Sequence, residues 1–138
     1  MRWETVQIMA SIRMKVQIMC GEAIAMGPGK AQLLDLIAKV GSISGAAREM
    51  DMSYRRAWQL VDVMNRCWNG RLVETIPGRA AGGARLTPLG ANILDHYRRL
   101  QAKLDTASLA EWRTMVSLVR DEPLPNQIAD SANDPKSS

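Results

Sequence analysis

Arg55, Gln59, Asp62 and Arg66 recur at spacings of four, three and four within residues 53–67, SYRRAWQLVDVMNRC. On a helix turning about 100° per residue they share one face. Ala57, Leu60, Val61 and Met64 fall on the opposite face, with Arg56 and Trp58 on the flanks. An apolar stripe opposite arginine and glutamine is the layout needed by a helix lying in the major groove of DNA. Arginine pairs bidentately with guanine and glutamine with adenine. Such a helix meets the groove N-terminus first, which favours Tyr54, Arg55 and Gln59 over Arg66. Asp62 is unwelcome near phosphate, so it is expected to pair with Arg66 or Arg55, or to stay outside the groove. A second basic feature lies at 77–85, PGRAAGGAR, where Arg79 and Arg85 flank a thin glycine-rich loop. A loop of that kind can approach phosphates or enter a minor groove.

Residue types suited to bond making are sparse. The single histidine, His96, lies in a helical stretch near Asn92 and Asp95, and neither Cys20 nor Cys67 has a histidine close in sequence. A nucleophile needs an activating neighbour, and none is visible, so the chain does not read as an enzyme. GPGKA at 27–31 is incomplete as a phosphate loop, with Ile24 where the first glycine should stand and Ala31 where Ser or Thr should stand. Met9, Met14, Met19, Cys20 and Met26 bring soft ligand atoms close together in sequence, which keeps a soft-metal-responsive regulator as one alternative. Methionine also fills cores where phenylalanine is missing; this chain has nine Met and no Phe. No metal site and no cofactor is assigned.

The elements that must position these groups follow from periodicity. Residues 12–20, IRMKVQIMC, alternate, and Ile12, Met14, Val16, Ile18 and Cys20 share the face expected to be buried in a strand. GPGK at 27–30 breaks the chain before a helix over 30–40, with Leu33, Leu34, Ile37 and Val40 at helical spacing and Gly41 as its stop. Ser42 or Ser44 caps a short helix through Ala46, Ala47 and Met50. After the tight Asp51-Met52 connection, Ser53 caps the helix to about Cys67, completing a helix-turn-helix outline. LVETI at 72–76 and ARL at 84–86 form a hairpin. Thr87 and Pro88 then cap and open a long helix. Ile93, Tyr97, Leu100 and Leu104 follow with heptad-like spacing, a candidate dimer seam that could equally pack on the chain's own body. Ser108 and Glu111 fit a capping box, so the helix is expected to break near 105–108 and restart through Trp112, Met115, Val116 and Val119. The polar stretch 121–138 is expected to be disordered.

The chain has 138 residues, enough for one domain of ordinary size with a real core. Residues 1–100 carry 14 basic and 8 acidic side chains, and residues 101–138 carry 4 and 6. A basic body with a weakly acidic end suits a polyanionic partner. Two cysteines make no disulfide framework. The start lacks the apolar run of a signal peptide, and no apolar stretch is long enough to span a membrane. These features read as a cytoplasmic protein with no membrane association.

The order strand, three helices, two-stranded wing and long helix carries a resemblance. GSISGAAREMDMSYRRAWQLVDVM at 41–64, with LVETIPGRAAGGARLTPLG at 72–90, resembles the DNA-binding domain of the ModE family of molybdate-responsive regulators. That domain is a winged helix-turn-helix of the LysR type, and the likeness covers roughly residues 12–120. It implies a mainly α fold with a small β wing, and dimerisation partly through the long helix after the wing. By position, Ser53, Tyr54, Arg55, Arg56 and Trp58 begin the recognition helix and Arg79 to Arg85 form the wing; Trp58 and Ala57 are expected to pack rather than touch bases.

The expected organisation is a winged helix-turn-helix at 1–87, a helical dimerisation segment at 88–120 and a tail at 121–138. The candidate DNA-binding residues are Ser53, Tyr54, Arg55, Arg56, Gln59, Arg66, Arg79 and Arg85. The expected partners are double-stranded DNA, read at a palindromic operator, and a second copy of the chain. Members of the family continue into an oxyanion-binding region of small β barrels, whereas this sequence turns polar after residue 120. Molybdate is therefore not expected to bind this chain directly, and the effector is unknown. A winged helix that docks proteins instead is the other alternative, one that would not need Arg55, Arg56, Arg66, Arg79 and Arg85 together.

Overall fold

The computed structural model describes residues 11–78 and 83–126. Contacts gather Met14–Ala107 into one unit, and the described residues 11–13 and 108–126 fall in another. The larger unit opens with a hairpin of β1, Ile18–Cys20, and β2, Ala23–Met26, turned by Gly21 at φ +59. The strand expected over 12–20 is thus cut to its last three residues. A ladder extends only as far as its partner, and β2 has four residues. Ile12, Met14 and Cys20, expected to face inward, are exposed. Val16 and Ile18 do pack against the core.

Helix α1, Pro28–Val40, begins with proline in its first turn and ends at Gly41, whose φ of +83 is the left-handed stop that glycine adopts freely. Its Leu33, Leu34 and Ile37 are fully buried, each worth about 1.5–3 kcal/mol against an exposed side chain. Val40, at the end of the same spacing, stays exposed. Ser42 caps α2, Ile43–Glu49, by accepting the Gly45 N–H at 3.0 Å. Ser53 caps α3, Tyr54–Cys67, by accepting the Arg56 N–H at 3.0 Å. Between them Asp51 holds φ +56, a left-handed value that Asp tolerates, and the Met52 N–H returns to the Ala47 carbonyl at 3.0 Å. Helices α1, α2 and α3 pack on one another around Ile37, Ile43, Ala46, Ala57, Val61 and Met64.

The wing strands are β3, Val73–Thr75, and β4, Ala84–Leu86, paired antiparallel. The Ala84 N–H donates to the Gly41 carbonyl at 3.0 Å, tying the base of the wing to the α1–α2 junction. Thr87 then caps α4, Pro88–Ala107, by accepting the Gly90 N–H at 2.9 Å. A Cβ at Gly90 would collide with the Leu72 carbonyl, so only glycine lets α4 start this close to the wing. The chain is a mainly α winged helix-turn-helix with a small β wing, as expected.

Helix α4 packs on α1, and contacts place both in the unit that runs to Ala107. Tyr97, placed in a dimer seam, is 2% exposed in the chain's own core, where its hydroxyl donates to the Val16 carbonyl at 2.7 Å. Ile93 also packs against that core. The period of the stripe is shared by a seam and by a helix lying on its own domain, so spacing alone could not separate them. Leu100 and Leu104, further along α4, are exposed.

In the other unit, α5, Leu109–Leu118, follows a break at Ser108 as expected. The capping box does not form: Ser108 has helical backbone angles and makes no side-chain cap bond. No residue of α5 is buried. Residues 121–126 form no regular element, and the rest of the expected tail lies outside the described residues.

Candidate nucleic-acid interface

The two faces of α3 separate as its spacing predicts. Ala57, Val61 and Met64 are buried, and Leu60 and Trp58 lie partly buried against the same core. Arg55, Gln59, Asp62 and Arg66 are exposed. Ser53 acts through its cap bond, which fixes where the helix starts and so which residues lead its exposed end. Tyr54 is 45% exposed and meets Trp58 edge-on, with ring centroids 6.2 Å apart. Its phenol therefore stands at the leading end of the helix, held by an indole that is itself anchored.

Arg55 has no ion-pair partner among the described residues, whereas Arg66 is paired with Asp62 at 3.0 Å across one helical turn. Asp62 thus takes the nearer of its two expected partners. The pair is largely exposed, a setting in which ion pairs stabilise by about 0–1 kcal/mol, so a phosphate can displace the carboxylate at small cost. Arg56 is set apart from the others. It lies on the flank of α3 and borders a cavity beside the start of α1, together with Lys15 and Lys30.

At the wing, Arg79 lies outside the described residues. Arg85 is exposed, but its Nε donates to the Glu74 carboxylate at 2.7 Å. The two residues stand directly opposite in the β3–β4 register, which places their side chains on one face of the hairpin. The arginine expected to approach DNA from position 85 is therefore paired within the chain.

A residue that sequence reading passed over joins the two regions. The Asn65 Oδ1 accepts the Leu72 and Val73 N–H groups at 2.9 and 3.0 Å, and its Nδ2 donates to the Val73 carbonyl at 3.1 Å. One amide thus satisfies three backbone groups entering the wing. The only sequence signal was a neutral polar residue directly after the last residue of the buried stripe. Trp68, just past α3, pins that end by donating its indole N–H to the Ala25 carbonyl at 3.1 Å. Asp35 and Arg98 form an ion pair between α1 and α4.

The residues weighed for other chemistry do not converge on a reactive centre. His96 is exposed on α4 with Nδ1 2.9 Å from the Asn92 carbonyl of its own helix. Burial pushes the Cys67 thiol up, and a hydrogen bond with Cys20 adds to the shift, the direction that lowers thiolate reactivity. Met26 is fully buried in β2, while Met19 and Cys20 are exposed in β1; Met9 lies outside the described residues. No group of three His, Cys, Asp or Glu residues placed to hold a metal occurs among the described residues. None of their helices is long and apolar enough to cross a membrane.

No protein-family profile matches the chain. About half of it is similar to part of several curated proteins. It is 42% identical over 78 residues to the molybdenum-pterin-binding protein MopB of Rhodobacter capsulatus, 56% of this chain and 29% of that one. It is 43% identical over 72 residues to the molybdenum transport protein ModE of Herbaspirillum seropedicae, 51% of this chain and 27% of that one. It is 38% identical over 71 residues to the DNA-binding transcriptional dual regulator ModE of Escherichia coli strain K12, again 51% and 27%. The resemblance to ModE read from the sequence holds for that segment, and the matched part is under a third of each relative. Among solved structures, the CbnR DBD–DNA complex aligns at 20% identity and a TM-score of 0.48, covering 66% of this chain and 97% of that one.

Proposed function

We propose that this chain, a relative of the ModE and Mop proteins over about half its length, is a sequence-specific double-stranded-DNA-binding transcription regulator. One observation carries the reading: the exposed Arg55 and Gln59, backed by the buried Ala57, Val61 and Met64, lead a helix whose start is set by the Ser53 cap. Tyr54, Arg55 and Gln59 enter the major groove and read base edges. Arg66 reaches backbone phosphate by leaving Asp62, and the wing, through Arg79 and Arg85, contacts the flanking backbone. The residues act by hydrogen bonding and charge, so the role is recognition rather than catalysis, exerted in the cytoplasm where the genome lies.

The regulator works as a homodimer on a palindromic operator, with half-sites one helical turn apart or a multiple of it. Leu100 and Leu104 support the dimer: each is 38% exposed on the part of α4 beyond Tyr97. Leu100→Asp would then put a charge into the seam, and sedimentation should show monomers; a persistent dimer would move the interface elsewhere. The function itself is tested by selecting duplexes from genomic fragments and comparing the selected sequence with its scramble by fluorescence anisotropy. The reading expects the selected duplex to bind about 1,000-fold tighter or more at physiological salt. Equal affinity for both would reject sequence-specific recognition.

A further inference from the structure

The cavity beside the start of α1 has no part in that reading. Its volume is about 320 Å³, at the lower end of small-molecule sites. Its walls are of two kinds. Lys15, Lys30 and Arg56 supply three cations from three separate segments of the chain, and no carboxylate among the described residues lines the space. None of the three is in an ion pair among the described residues. Burial holds the Lys30 ammonium below the usual lysine range, and the Arg56 charge pushes it lower still. Among the described residues, like charges therefore crowd around a partly dry space with no counter-ion beside them. The first turn of α1 also faces it: Gly27 provides no side-chain cap and Pro28 has no N–H, which leaves the N–H groups of Gly29 and Lys30 directed out of the helix start. Ile24, Met50, Met52 and Leu60 supply an apolar stretch of wall, and Gln17 is the one neutral polar side chain among the described residues that line the space.

Cations alone would suit any phosphate, including that of a DNA backbone. The apolar wall discriminates, because a backbone phosphate brings no apolar group to cover it. We propose that the cavity binds a small organic anion, its phosphate or carboxylate head held by Lys15, Lys30 and Arg56 and its apolar body resting on Ile24, Met50 and Met52. The site goes beyond duplex recognition and does not depend on it. Arg56 is one residue from Arg55, so an occupant sits next to the exposed face of α3.

The test uses the full chain without DNA, with phenyl phosphate, inorganic phosphate and benzyl alcohol as probes, followed by calorimetry and two-dimensional NMR. Phenyl phosphate should bind saturably at one site and move the Gly29 and Lys30 amide signals and the Met50 and Met52 methyl signals. Inorganic phosphate should bind about tenfold more weakly for want of an apolar body, and benzyl alcohol should not bind. Lys30→Gln should weaken phenyl phosphate about tenfold, with melting temperature and duplex affinity unchanged. Lys15→Gln, in irregular chain, should do the same and serves if the first variant fails to fold. No saturable binding by roughly 10 mM, or unchanged binding in a folded variant, overturns the proposal. So does a loss of duplex affinity with a flattened salt dependence and no binding of phenyl phosphate, which would make the cavity a DNA-backbone contact.

Discussion

The outer face of α3 and the base of the wing both present arginine to solvent, but not in the same state. Arg55 has no ion-pair partner among the described residues, whereas Arg85 is held by Glu74 and Arg66 by Asp62. Geometry decides this, not abundance of charge. Asp62 lies one turn before Arg66 on the same helix, and Glu74 lies opposite Arg85 on the ladder. Asp51 precedes Arg55 by four residues too, but it sits in the turn with a left-handed backbone, off the helical path that would bring it under Arg55. The break between α2 and α3 thus leaves the leading arginine available, while regular structure elsewhere supplies partners. Of these three arginines, Arg55 is open to a polyanion at once, whereas Arg66 and Arg85 must first be detached from Asp62 and Glu74.

The largest effect is expected from cutting the link between the two regions. Asn65→Ala would leave the buried Leu72 and Val73 N–H groups unpaired, at about 2–4 kcal/mol of stability. Thermal or urea unfolding checks this, and a loss below about 0.5 kcal/mol would show that water replaces the amide. Next is the unpaired cation itself. Arg55→Ala should cost about 1–3 kcal/mol on the selected duplex and relax preference at one base position. Equal loss on selected and random DNA would remove Arg55 from base readout and erase the contrast with the wing. The smallest effect comes from making the wing resemble α3. Glu74→Gln frees Arg85, so affinity should rise modestly for every sequence and the salt dependence should steepen by about one ion. An unchanged slope would show that Arg85 does not reach phosphate.

The helices and most of their boundaries were legible because residues with a local physical role bracket them. Ser42, Ser53 and Thr87 cap, Gly41 stops, and Pro88 starts, all within a few residues of what they control. The apolar and polar faces of α3 followed for the same reason. What failed depended on distant partners. The length of β1 is set by β2, a run of Ala23, Ile24, Ala25 and Met26 with no alternation to announce a strand. Tyr97 lies in its own core because α4 folds back on α1, which heptad spacing does not encode. The pairing of Arg85, the clamp at Asn65 and the gathering of Lys15, Lys30 and Arg56 around one space likewise arise from segments far apart in sequence. The site's helix could be read locally, and the availability of its charges could not.

The central claim is that the leading end of α3 meets DNA. Amide and side-chain signals of the isotope-labelled chain, titrated with the selected duplex, test it directly. The largest and earliest changes should fall on Tyr54, Arg55 and Gln59, with smaller ones at Arg85 and Arg66. Changes confined to α5, or absent from residues 54–59 while the duplex is bound, would contradict the account.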